Sequence, residues 1–403
     1  MKQTIYLRLI TLLIFLLVVL FGLPILVSAD NSWNDAAPLP NGDERSRHTT
    51  TLLPDGRILV VGGYNGAALD DAKLYDPITN EWSDANDVMF TERYSHTATL
   101  LRNGNILIAG GHDGSSALDT AFVYDPVDNI WNTANGMSTA RYNHTATMLA
   151  NGDVLVVGGG VSISEIYNPS TNTWGNDTDT GTVRSNHTAT LLDDGKVLVV
   201  GGDGSGTAQL YDNGTWNATT AFDSNIQNHT ATLLPDGNVL VAGGYNGTIP
   251  SNVAKVYNGV SWTATSNTLT DARYNHTATL LPNGKVLVTG GCDNGNVSSC
   301  SSYLNSAELY DWDTNSWSVV TDDTMTDSRE KHTATMLPNG KIFVVGGKNG
   351  GGDVGGSELF DSITDGWINT DNFANSIYWH ATTVLTDGKV LVSGGCQSGN
   401  TNS

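Results

Sequence analysis

Positive charge is scarce in this chain. Its 403 residues hold 19 Lys and Arg against 41 Asp and Glu, a formal charge of −22. A surface of that sign repels the phosphates of nucleic acids and of anionic lipids, so neither is expected as a partner. Charged residues of both signs make up only 15% of the sequence, too little to clothe long solvent-facing helices, whereas 39% apolar residues and 45 Gly supply a core and many tight turns. The composition is that of an all-β protein.

Long hydrophobic runs are missing everywhere except at the start. Lys2 and Arg8 precede an apolar run from Leu9 to Val27, broken by Gly22 and Pro24, and Val27-Ser28-Ala29 offers small residues for cleavage before Asp30. Residues 1–29 are therefore read as a secretory signal peptide. An uncleaved membrane anchor is the alternative, because the run is about long enough to span a bilayer. The mature chain, residues 30–403, is expected to be secreted or displayed at the cell surface, with no membrane contact once the signal is removed.

What the sequence has in abundance is self-similarity. His-Thr-Ala-Thr or a near variant recurs with His48, His96, His144, His187, His229, His276, His332 and His380, and a Gly-Gly pair begins fourteen residues after each of them. Between His and Gly-Gly lies an apolar-leaning run, then Asp-Gly or Asn-Gly, then a second apolar run. That text predicts a hairpin closed by a type I′ turn. A variable loop then leads to a third strand ending in Tyr or Phe, and five or seven residues later Trp opens a fourth strand after turn-forming text such as Tyr75-Asp76-Pro77. A four-stranded sheet of roughly 45 residues cannot bury both faces alone, so the copies must stack, and radial stacking gives a β-propeller.

Seven units are complete, from His48 to Trp367. Trp33 is left over in front as an orphan fourth strand, and His380 to Gly395 behind as an orphan hairpin. Closure that unites the two chain ends would make them a partial eighth blade lacking its third strand, and the chain is expected to be truncated at its C-terminus. The pattern of Arg, His, Gly-Gly, Tyr and Trp over residues 33 to 395 resembles the kelch repeat. Kelch modules, and the similar central domain of galactose oxidase, are propellers, so the resemblance implies the architecture that the periodicity demands. It also implies an interaction module, since kelch members mostly serve as such.

The candidates for chemistry divide into repeated and unrepeated residues. Imidazole is the commonest metal ligand, but one His in every blade is better explained by blade geometry, and eight rings spread around a channel cannot share one metal ion with bonds of ~2 Å. Relatives of galactose oxidase hold copper with a Tyr immediately before the repeat His. Here that residue is Arg47, Ser95, Asn143, Asn186, Asn228, Asn275, Lys331 or Trp379, never Tyr. No cofactor is expected, with copper only under an alternative in which the protein is a carbohydrate-acting enzyme like galactose oxidase or the propeller sugar epimerases.

Arg45, Arg93, Arg141, Arg184, Arg273 and Arg329 stand three residues before a repeat His. They read either as a ring that grips an acidic glycan or peptide, or as ties that hold the blades, and kelch units commonly carry Arg here, which favours the tie. Strand alternation puts the loops after Gly-Gly on one variable rim, where a protein or glycan ligand is expected to bind. The candidate binding residues on that rim are Tyr64, Arg93, Tyr94, His112, Arg141, Tyr142, Tyr245, Arg273, Tyr274 and Lys348. No catalytic residue is assigned. Cys292 and Cys300 are expected to form a disulfide across the longest loop, leaving Cys396 without a partner in this sequence.

Overall fold

The computed structural model describes residues 36–39 and 45–396 apart from 87–90, 221, 223–224, 298, 322–323 and 371–375, and leaves out the side chains of 176–178. Residues 1–29, read above as a signal peptide, and Trp33 lie outside the described residues. Within them every long element is a strand, and no helix is long and apolar enough to cross a membrane.

Seven antiparallel four-stranded sheets succeed one another along the chain. Blade one is typical, with Thr49–Leu52 innermost, then Ile58–Val61, Ala72–Asp76 and Glu81–Asp84 outermost. The division of labour follows from the residues. The second strand is a run of branched aliphatics with no polar face, and it is buried on both sides because each blade lies between two others. The inner strand is Thr-rich and half-buried, since small branched side chains fit where the sheets crowd toward the axis. On the outer strand Trp alone turns inward, tilted against the Tyr of the third strand with ring centroids 5.0 Å apart in blade one and 4.9 Å in blade two.

Ring closure is visible at the chain ends. The hairpin Ala381–Val384 and Val390–Ser393 inserts its first strand between the inner strands Thr333–Met336 of blade seven and Thr49–Leu52 of blade one. On the outside, the Trp82 indole N–H donates to the Ala37 carbonyl at 2.6 Å, as Trp174 donates to Ala134 of the blade before it. Ala37 thus holds the place that Ala134 holds after an outer strand, and the hairpin and this N-terminal segment contribute to a partial eighth blade.

The hairpin turns correct one expectation. At Leu53-Pro54-Asp55-Gly56-Arg57 only the glycine has positive φ, 90°, and Gly56 N–H bonds to Leu53 O while Leu53 N–H bonds to Arg57 O. This is a three-residue loop, a type I turn followed by a glycine bulge, rather than type I′. Pro54, Pro235, Pro282 and Pro338 carried the signal, because proline's fixed φ suits the first central position of a type I turn.

The repeated polar residues make the joints between blades. Each repeat His places its Nε2 against the first hydroxyl of the preceding inner strand, as in Thr49 with His96 and Thr97 with His144, both at 2.9 Å. Where Ala381 offers no hydroxyl, His48 turns to Ser393 at 3.1 Å. The second glycine of each pair donates its N–H to the carbonyl of the Arg or Ile heading the next blade, for example Gly111 to Arg141 at 2.9 Å. A Cβ on Gly110, whose φ is 61°, would lie 2.5 Å from that same oxygen, so close passage explains the glycine.

Candidate functional site

The six arginines are buried to the last percent of their surface. Each guanidinium turns inward and donates to the first Gly-Gly carbonyl of its own blade, seventeen residues on, as from Arg141 to Gly158 at 3.0 Å. Four meet a carboxylate closely, Asp71, Glu165, Glu308 or Glu358 at 2.7 to 2.8 Å, and Arg184 has Asp203 at 3.9 Å. Arg93 has only carbonyl and hydroxyl acceptors, from Thr91, Gly110 and Thr120, and burial lowers its pKa to about 10. Arg93, Arg141 and Arg273 therefore belong to the blade interior, and a ligand on the rim cannot reach them without breaking these bonds.

The same holds for the repeat histidines. Burial is the first cause that lowers their pKa values, followed for several by the neighbouring Arg, to about 3 for His48, His144, His229 and His276 and about 4 for His187 and His380. They are neutral joints.

Four of the remaining candidates, half-buried or exposed, gather at the mouth of the axial channel on the variable rim. Tyr64, Tyr94, His112 and Tyr142, from three consecutive blades, form a chain of aromatic contacts with centroids 5.1 to 5.3 Å apart. The Tyr94 hydroxyl meets His112 Nδ1 at 3.2 Å, and partial burial raises the tyrosine's pKa. Beside this chain opens a cavity of about 490 Å³ lined by Ser46, Arg47, Tyr64, Tyr94, Glu92 and Trp379 among others.

The cavity's cationic side was not singled out from the sequence. Arg47 lies 4.3 Å from the Trp379 ring centroid and 5.6 Å from that of Tyr94, and Lys331 Nζ approaches Trp379 at 4.9 Å. All three stand immediately before a repeat His, at a position held in the left-handed region, with φ of 55° for Arg47, Lys331 and Trp379. Four of the eight blades place Asn there, the residue that tolerates this conformation best. The departure from Asn was the legible signal.

Three expected residues lie elsewhere. Tyr245 and Tyr274 meet edge to face with centroids 5.5 Å apart, buried with the Cys292–Cys300 disulfide, whose sulfurs are 1.99 Å apart. Lys348 sits 5.6 Å from the Tyr378 ring. Cys396 is free and buried.

These sheets and joints define a β-propeller assembled from one repeated motif. The chain is a kelch-repeat protein: the family model of the KLHDC2/KLHL20/DRC7 kelch-repeats domain matches residues 23–202 and that of the kelch motif residues 272–324. No curated protein matches the sequence. Among solved structures it is similar to a fungal alcohol oxidase of the AA5 family in complex with copper, with a TM-score of 0.60 and 18% identity over 92% of this chain and 94% of that one.

The donor set here does not fit copper. Eight of nine His rings have Nε2 against a hydroxyl inside the joints. His112 shares its Nδ1 between the Tyr94 hydroxyl and Gly114 N–H. A cluster of Cys292, Cys300 and Glu330 brings ligand-type atoms together, but its sulfurs are consumed in the disulfide.

Proposed function

We propose that the protein is a recognition module, exported by its N-terminal signal, that takes a carbohydrate or protein ligand at the axial mouth of its variable rim. One observation carries this reading. The residues that recur in every copy are locked in joints, while those that differ between copies line an open cavity of about 490 Å³, within the size range of small-ligand sites. Kelch propellers commonly serve as interaction modules, which supports the same reading.

The test is a glycan array together with a pull-down, run with the native chain and with Tyr94→Ala. Binding that disappears in the variant supports the reading; equal binding by both moves the ligand off this rim. A second reading, a carbohydrate-acting enzyme, is favoured by the similarity to the copper alcohol oxidase. Stoichiometric copper in the purified protein, with turnover, would establish it in place of the first.

A further inference from the structure

Five of the steps around the channel mouth are closed by backbone bonds between the residues that precede the repeat histidines: Ser95 to Arg47, Asn143 to Ser95, Asn228 to Asn186, Asn275 to Asn228 and Lys331 to Asn275, at 3.0 to 3.3 Å. Among the described residues the steps from Lys331 to Trp379 and from Trp379 to Arg47 carry no such bond, so the amide N–H groups of Trp379 and Arg47 have no backbone acceptor. The third unbridged step, Asn143 to Asn186, joins neutral residues. At the first two the cations converge instead. Arg47 is exposed and has no carboxylate within 4 Å among the described residues, and Lys331 has Glu330 at 3.5 Å.

Several of the other cations are paired or buried. Arg57, Lys196 and Lys389 each fold back onto the Asp of their own hairpin turn, and the blade arginines are buried. Arg47 is left open, on a backbone conformation that disfavours it, in a molecule of charge −22. Strain kept at a cavity wall is a mark of function. The cavity lining also includes Glu92 and Asp113. A ligand with several negative charges would meet these carboxylates and be repelled, whereas sugar hydroxyls would donate to them, and the Tyr64 and Tyr94 rings offer apolar faces to a pyranose.

We propose that the mouth between blades seven and one binds a saccharide bearing a single carboxylate, with the acid group on Arg47 beside Trp379 and the neutral sugar body over Tyr64 and Tyr94 toward Glu92. This rests on the recognition reading and names its ligand class.

The test is titration calorimetry of the purified chain with a glucuronate-terminated disaccharide, its neutral glucose counterpart and tetraglutamate. Arg47→Asn is the variant, because Asn already occupies this position in four copies and suits its φ. The acidic disaccharide should bind at least about tenfold tighter than the neutral one, and Arg47→Asn should remove that preference without lowering the melting temperature. Equal affinity for both sugars would overturn the carboxylate clamp while leaving the recognition reading intact, as would tetraglutamate binding more tightly than either. No binding of any probe, alongside a positive array or pull-down, would overturn the clamp alone; a negative array and pull-down as well would remove both.

Discussion

Arg141 and Glu165 are both fully shielded from solvent and meet at 2.7 Å. Removing one partner strands the other charge inside the blade, so Arg141→Met should cost about 3–5 kcal/mol. Arg57→Met, which breaks a partly exposed pair with Asp55, should cost under about 1 kcal/mol. Urea denaturation of the two variants checks this, and similar losses would refute the buried tie. The arginine's place was readable from its constant spacing to the repeat His, but its direction was not. Nothing in the sequence tells whether a guanidinium at a rim points outward or back onto its own Gly-Gly carbonyl. Tyr64, Tyr94, His112 and Tyr142 were legible because they stand at two positions that vary between copies, the one after Gly-Gly and the one two residues before the repeat His. Arg47, Lys331 and Trp379 were not legible as a group, because only closure of the ring brings residues so far apart in sequence together at the Trp379 indole.

The strands themselves were almost entirely legible, since a residue pattern copied seven times averages away local ambiguity. The turn type was not, because Asp-Gly and Asn-Gly serve both a type I′ turn and a type I turn with a glycine bulge, and the preceding residue decides. At this scale the second strand dominates stability. Leu240, nearly inaccessible in the core shared by blades five and six, should cost about 2–5 kcal/mol when replaced by Ala. The Cys292–Cys300 bond closes a loop of eight residues in sequence separation. By chain entropy its loss in Cys300→Ser should cost about 2–3 kcal/mol, read as a lower denaturation midpoint, and an unchanged midpoint would show that the loop is held by its packing against Tyr274 instead.

For the whole molecule, the eight neutral histidines set the pH dependence. An unfolded His titrates near 6.5, and burial holds His48, His144, His187, His229, His276 and His380 at about 3 to 4. Below pH 6.5 the unfolded chain takes up protons that the fold refuses, so stability is fully present above 6.5 and falls as pH drops toward 4. At pH 5 each buried His should cost about 2 kcal/mol. Chemical denaturation between pH 7.5 and 5 should follow this steep decline, and a flat profile would mean that the rings are solvated.

The ring also has a seam. Seven joints are made alike, Thr to His, while the eighth, between the Ala381–Val384 hairpin and blade one, relies on Ser393 with His48, Gly395 with Arg45 and Thr383 with Thr50. A collar of matching links yields at its clasp, and this clasp is borne by a hairpin of two strands rather than a full sheet. Under tension or heat the circle should therefore part between its two ends first, with amide protons near Ala381–Val384 exchanging before any complete blade surrenders its own.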